Sequence, residues 1–146
     1  MWFLFFATLI FSGLWWAVLA WYKKQRLRTR IVGNGVFSVQ INAAGKHILN
    51  LKKLCGRRTA DCINRKTEAC LTIENNKLEK YAVRVTIQGY TVGYLPCASA
   101  INLRHALINA GLGKVKLLEC AANIRGTWDA GQREQGNFGV WLDLPK

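Results

Sequence analysis

From Trp2 to Tyr22 the chain has no charged residue. As a helix, those twenty-one residues would span about 31 Å, close to a hydrocarbon core of about 30 Å, so residues 1–22 are expected to form a transmembrane anchor. Nothing basic precedes the run except the amino group. It ends in bulky aromatics rather than a small-residue cleavage site, which excludes the usual form of a cleaved secretory signal. Catalytic signatures are missing as well: there is no G-x-x-x-x-G-K-[ST], no G-x-S-x-G and no H-E-x-x-H. Only two histidines occur, neither beside an obvious nucleophile or carboxylate, and the expectation is a binding module rather than an enzyme. There is no C-x-x-C. The five cysteines, Cys55, Cys62, Cys70, Cys97 and Cys120, are odd in number and widely spaced, which suits free thiols. His47, Cys55, Cys62 and Cys70 match no recurring zinc spacing, so no metal and no cofactor are expected.

Acidic residues are scarce, 8 against 21 Lys and Arg, for a net charge of +13. Five of the basic residues, Lys23, Lys24, Arg26, Arg28 and Arg30, follow the apolar run directly, and residues 23–30 read as a juxtamembrane linker. That asymmetry places the rest of the chain in the cytoplasm, as a single-pass protein of the cell inner membrane. Trp2, Trp21 and Tyr22 sit where interfacial belts are expected; Trp15 and Trp16 could pack on a partner helix. A second basic cluster covers residues 44–66, with seven basic residues against Asp61 alone, whereas residues 67–146 hold nine basic and seven acidic residues. A localised patch of this kind favours a polyanion, either nucleic acid or an anionic membrane.

Residues 31–146 suffice for one domain with its own core. Ile31 to Ile41 reads as a strand interrupted by Gly33 and Gly35. The spacing of Ile48, Leu51, Leu54 and Cys55 predicts a helix over 46–55, stopped at Gly56, followed by a basic loop over 57–66. Strands are expected over 69–74, 81–88, 91–95, 115–124 and 138–144, with a helix over 97–110 whose buried side is Leu103, Leu107 and Ala110. The expected fold class is α+β: one transmembrane helix, then a small OB-like or SH3-like, mostly antiparallel barrel with two covering helices.

Five segments in order carry a family resemblance. They are IVGNGVF, LTIENNKLEKYAVRV, IQGYTVGYLPCASA, ECAANIRGTW and FGVWLDLP, and they run in order from one end of residues 31–146 to the other. The chain resembles a HIRAN domain, a small OB-like barrel found alone or fused to helicase-type ATPases. The resemblance implies recognition of single-stranded DNA, in the best understood members at the 3′-end, where aromatics stack on the terminal base and an acidic side chain bonds the end hydroxyl. Phe37 falls on a stacking aromatic, Asn76 on the signature Asn, and Tyr94 on the V-G-Y-L position near the pocket. Lys77, Leu78 and Glu79 stand where the signature has Pro-Tyr-Asp, so Glu79 keeps a carboxylate and the Tyr is lost.

Two readings follow. One is a membrane-anchored nucleic-acid-binding module for single-stranded DNA or DNA ends. Lys46, Lys53, Arg57 and Arg58 would meet phosphates and Phe37 or Tyr94 would stack on bases, with Asn76 and Glu79 completing the site. A motor would have to come from a separate ATPase partner, since the chain has none. The other is a non-catalytic membrane scaffold whose basic helix binds anionic lipid or an acidic protein, the anchor itself meeting a membrane partner.

Overall fold

The computed structural model describes residues 15–21, 28–43, 45–56, 62–75, 80–127 and 137–145. In chain order the elements are α1, described over residues 15–21, β1 (Arg28–Arg30), β2 (Val39–Gln40), α2 (Lys46–Cys55), β3 (Ile63–Ile73), β4 (Val83–Ile87), β5 (Tyr90–Tyr94), α3 (Cys97–Asn109), β6 (Leu117–Thr127) and β7 (Asn137–Leu142).

Period-two alternation builds the sheet. In β4, Val83, Val85 and Ile87 are buried, while Arg84 and Thr86 face outward. Ala69 and Leu71 on β3, Leu118, Cys120, Ala122 and Ile124 on β6, and Val140 and Leu142 on β7 point to the same side. The strands run in the order β2-β7-β6-β3-β4-β5; all these pairs are antiparallel, and β1 adds to β6 in parallel. The result is a small α+β half-barrel. Its two outer strands are tied by a bridge in which the Asn42 N–H donates to the Tyr94 carbonyl at 3.0 Å and the Tyr94 N–H to the Asn42 carbonyl at 3.2 Å.

Two irregularities make that bridge possible. Val85 pairs with Gly93 and Thr86 with Thr91, so Val92 is an extra residue that bends β5. Gly93 has φ 152°, and a Cβ there would collide with the Asn42 carbonyl oxygen. The β4–β5 connection is a two-residue turn with Gln88 at φ 50° and Gly89 at φ 82°, the type I′ signature.

The helix over 46–55 has the expected bounds and buries Leu51, Leu54 and Cys55. It packs on β5, where Asn50 Nδ2 donates to the Thr91 carbonyl at 2.7 Å. At its other end Arg65 Nη1 donates to the Leu54 carbonyl at 3.0 Å, satisfying one of the carbonyls a helix end leaves unpaired. α3 begins after Pro96 and buries Ala100, Leu103 and Leu107. Ala110, expected on its buried side, is exposed and lies past the helix end.

Several expectations are corrected. Among the described residues no helix is long and apolar enough to cross a membrane. Trp15, Trp16 and Trp21 are exposed on the described part of α1, residues 15–21. Residues 1–14 and 22 of the expected anchor lie outside the described residues. The single-pass anchor, and with it the inner-membrane location, is withdrawn. The expected strand over 31–41 is also corrected: only β2 is strand, and residues 31–38 form a strap whose glycines seat a carboxylate. Gly35 N–H donates to Asp143 Oδ1 and Oδ2 at 2.9 and 3.0 Å, and a Cβ on Gly33 would strike the same group. β3 begins at Ile63, inside the expected basic loop, so Arg65 and Lys66 are strand residues.

Replacing Gly93 with Ala is expected to cost about 2 kcal/mol or more in denaturant unfolding, because strain and collision add; Gly89→Ala, with open space around it, should cost about 1 kcal/mol. Burial, with lesser contributions from Asp143 and Cys70, pushes the Cys120 thiol up to about 12, and burial likewise raises Cys55. Iodoacetamide should therefore label the exposed Cys62 and Cys97 in the native protein and spare Cys55 and Cys120, read by peptide mass spectrometry. A thiol whose pKa is raised on folding stabilises fully below its unfolded value. Stability should thus fall as pH rises from about 9 toward 12, and less steeply in Cys120→Ala.

Candidate nucleic-acid interface

Where the bridge joins the sheet edges, a cleft of about 550 Å³ opens, lined by Asn42, Lys80, Tyr81, Ala82, Tyr94, Leu95 and Cys97. That size is within the range of small-ligand sites. The strands fix its walls. The Leu95 N–H donates to the Val83 carbonyl at 3.0 Å, holding the chain beyond β5 against β4, and Tyr94 stands half-buried between them. His47, at the start of α2, meets the Tyr94 ring edge-on, with centroids 5.9 Å apart and planes at 73°. His47 Nδ1 lies 3.3 Å from the Thr91 carbonyl, a hydrogen bond when that nitrogen carries the proton.

Arg104 of α3 organises the opposite wall. Its Nη2 donates to the Glu74 carbonyl at 2.7 Å and the Ala82 carbonyl at 3.4 Å, and Nη1 reaches Asn75 Oδ1 at 3.3 Å. One guanidinium thus holds both ends of the β3–β4 connection. The same group lies 5.8 Å from the centre of the exposed Tyr81 ring, which also has Lys80 Nζ at 5.8 Å.

Lys46 and Lys53 are exposed on α2, as the amphipathic spacing requires, and Lys53 Nζ stands 6.0 Å from the centre of the exposed Tyr90 ring. Lys46 precedes His47, which puts the start of α2 beside Tyr94. Phe37 is not part of the cleft: it is half-buried, at φ 49°, with Lys66 Nζ 5.9 Å from its ring centre. Arg57, Arg58, Asn76 and Glu79 lie outside the described residues. Of the eight residues singled out from sequence, the structure therefore brings Tyr94 and the α2 lysines to one side and sets Phe37 on another.

Tyr81, Lys80, Arg104, Tyr90, Lys66, Arg125 and Trp141 were missed. Tyr81 was absorbed into strand alternation and Lys66 into a loop. A signal did exist, since Lys80-Tyr81 and Gly89-Tyr90 put aromatics at strand ends, where side chains leave the core. Among the described residues, no three His, Cys, Asp or Glu side chains converge as metal ligands.

Compared with family models, with curated proteins and with solved structures, the chain matches none.

Proposed function

We propose that the domain binds single-stranded nucleic acid. The observation that carries this is a set of cation–aromatic pairs at the surface. Four rings, Phe37, Tyr81, Tyr90 and Trp141, have five cationic groups within 6.0 Å of their centres, from Lys66, Lys80, Arg104, Lys53 and Arg125. A strand presents bases that stack on rings and phosphates that pair with cations, and interleaving the two serves both at once. Stacking is worth about 1–3 kcal/mol per base and tolerates any sequence.

The resemblance to HIRAN domains supports the same reading and adds an end. The cleft is then where a terminal nucleotide sits, with Tyr94 or Tyr81 against its base and Lys80 near its phosphate. Lys46 and Lys53 of α2 meet the strand beyond it. A polyanion-binding α2 alone would account for the lysines but not for rings kept exposed beside them.

Fluorescence anisotropy of the full chain, with labelled oligonucleotides carrying a free 3′-end, a blocked 3′-end or a blunt duplex, tests the reading. Binding should favour single strands and weaken steeply with salt as counterions are released. Tyr94→Ala should weaken binding of the free-ended strand about ten-fold, and Lys46→Glu with Lys53→Glu should reduce the salt slope by about 2. Absence of binding at low salt would refute the reading, and equal affinity for all three oligonucleotides would remove its end-specific part.

A further inference from the structure

On the face of the sheet turned away from the core, the register sets Lys66, Asn123 and Trp141 directly across β3, β6 and β7; Asn64, Arg125 and Gly139 form the next row. At about 4.8 Å between strands, Lys66 and Trp141 are about 10 Å apart at the backbone. Gly139 lets the indole lie across that next row. A Cβ there would come within 2.6 Å of Cη2 and 2.7 Å of Cζ3. The ring is half-buried, with the Arg125 guanidinium 5.3 Å from its centre. Phe37, on the strap pinned to Asp143, brings a second ring to Lys66 at 5.9 Å. The next acidic residue along β3, Glu68, is held by Arg30 at 2.9 Å, so this stretch of the face keeps its positive charge.

Between the two rings' cations sits an anomaly. Asn123 is 3% exposed, and its Oδ1 has no hydrogen-bond partner among the described residues. A buried acceptor left unpaired costs the fold stability, and a donor brought by a ligand would offset that cost. The residue's neighbours in register are Lys66, a long flexible side chain, and Trp141, so displacement of the lysine is the natural way to reach the amide.

We infer that this face is a second, base-reading surface for single-stranded nucleic acid. Phe37 and Trp141 stack bases, Lys66 and Arg125 turn from the rings to phosphates, and a base N–H donates to Asn123 Oδ1. The inference rests on the functional reading above but uses none of the residues that line the cleft at Tyr94.

The test measures binding of the full chain to a single-stranded oligonucleotide of about a dozen nucleotides and to an abasic strand of equal length. The abasic strand should bind at least about ten-fold more weakly. Trp141→Leu should weaken the base-bearing strand about ten-fold, with Trp141→Phe restoring most of it. Asn123→Leu should weaken it several-fold without lowering Tm, since the variant removes an unpaired acceptor. Should Trp141→Leu fail to fold, the exposed pair Lys66→Glu and Arg125→Glu gives the same readout, and ultraviolet cross-linking should map to peptides containing Phe37 or Trp141. The surface is overturned if the abasic strand binds equally, if polyglutamate competes as well as the oligonucleotide, or if these variants bind normally while Tyr94→Ala does not. Failure of the unaltered protein to bind any strand removes the functional reading along with this surface.

Discussion

Two backbone hydrogen bonds between Asn42 and Tyr94 govern how this domain is put together. They join the outermost strands of the sheet order, and everything at that seam follows from their geometry. The cleft opens beside them. α2 packs on β5 through Asn50 and Thr91, and His47 meets Tyr94 because that helix starts just past Asn42. The extra residue at Val92 and the glycine at 93 serve the same seam: the first bends the strand, and the second gives Asn42 room. Neither has any value as local structure alone, since a bulge lowers pairing and glycine weakens a strand.

The two faces of the sheet divide labour by physical type. One is apolar and closed: Leu51, Leu71, Val83, Val85, Leu118, Val140 and Leu142 are completely buried in it. The other keeps aromatics and cations in contact without burying either fully, which suits reversible association, because each ring already has a partner when no ligand is bound. Exposed Phe, Tyr and Trp would otherwise favour self-association. The cations in front of them place a charge at each ring, which opposes that association.

How far this was legible in the sequence depended on the type of signal. α2 was legible because four apolar positions at helical spacing, followed by glycine, leave little else for the chain to do. The inner strands were legible from strict alternation in Val83, Val85 and Ile87. The strap over 31–38 was misread as strand, because alternation reports a half-buried segment and not what buries it. Its glycines answer to Asp143, which is more than a hundred residues away. Lys66 was read as a loop residue and Arg125 fell just past an expected strand end, since strand ends that outrun the core show no apolar alternation; only the register of β3 and β6, with Lys66 across from Asn123 and Asn64 across from Arg125, puts the two on one face. Trp141 was hidden among the apolar residues of the last strand, and its neighbour Gly139 carried the clue that a flat ring needs the space. The apolar N-terminal run was read as a membrane span from hydropathy alone, and among the described residues no helix is long and apolar enough to cross a membrane.

The contact between Gly35 and Asp143 also dictates an order of events during synthesis. The two residues are separated by 108 positions, so the strap emerges with no partner and must wait until the last strand has been made. At about 5–20 residues per second that delay is roughly 5–20 s. During it the Gly-rich strap and β2 are unpaired, and β1 waits nearly as long, because their partners β7 and β6 are the last strands made. The domain is thus most open to capture by chaperones, proteases or another copy of itself through its first residues and not its last. A glycine-to-bulkier change at Gly33 would lengthen that exposure, because the strap could then not settle on its carboxylate even when it arrives.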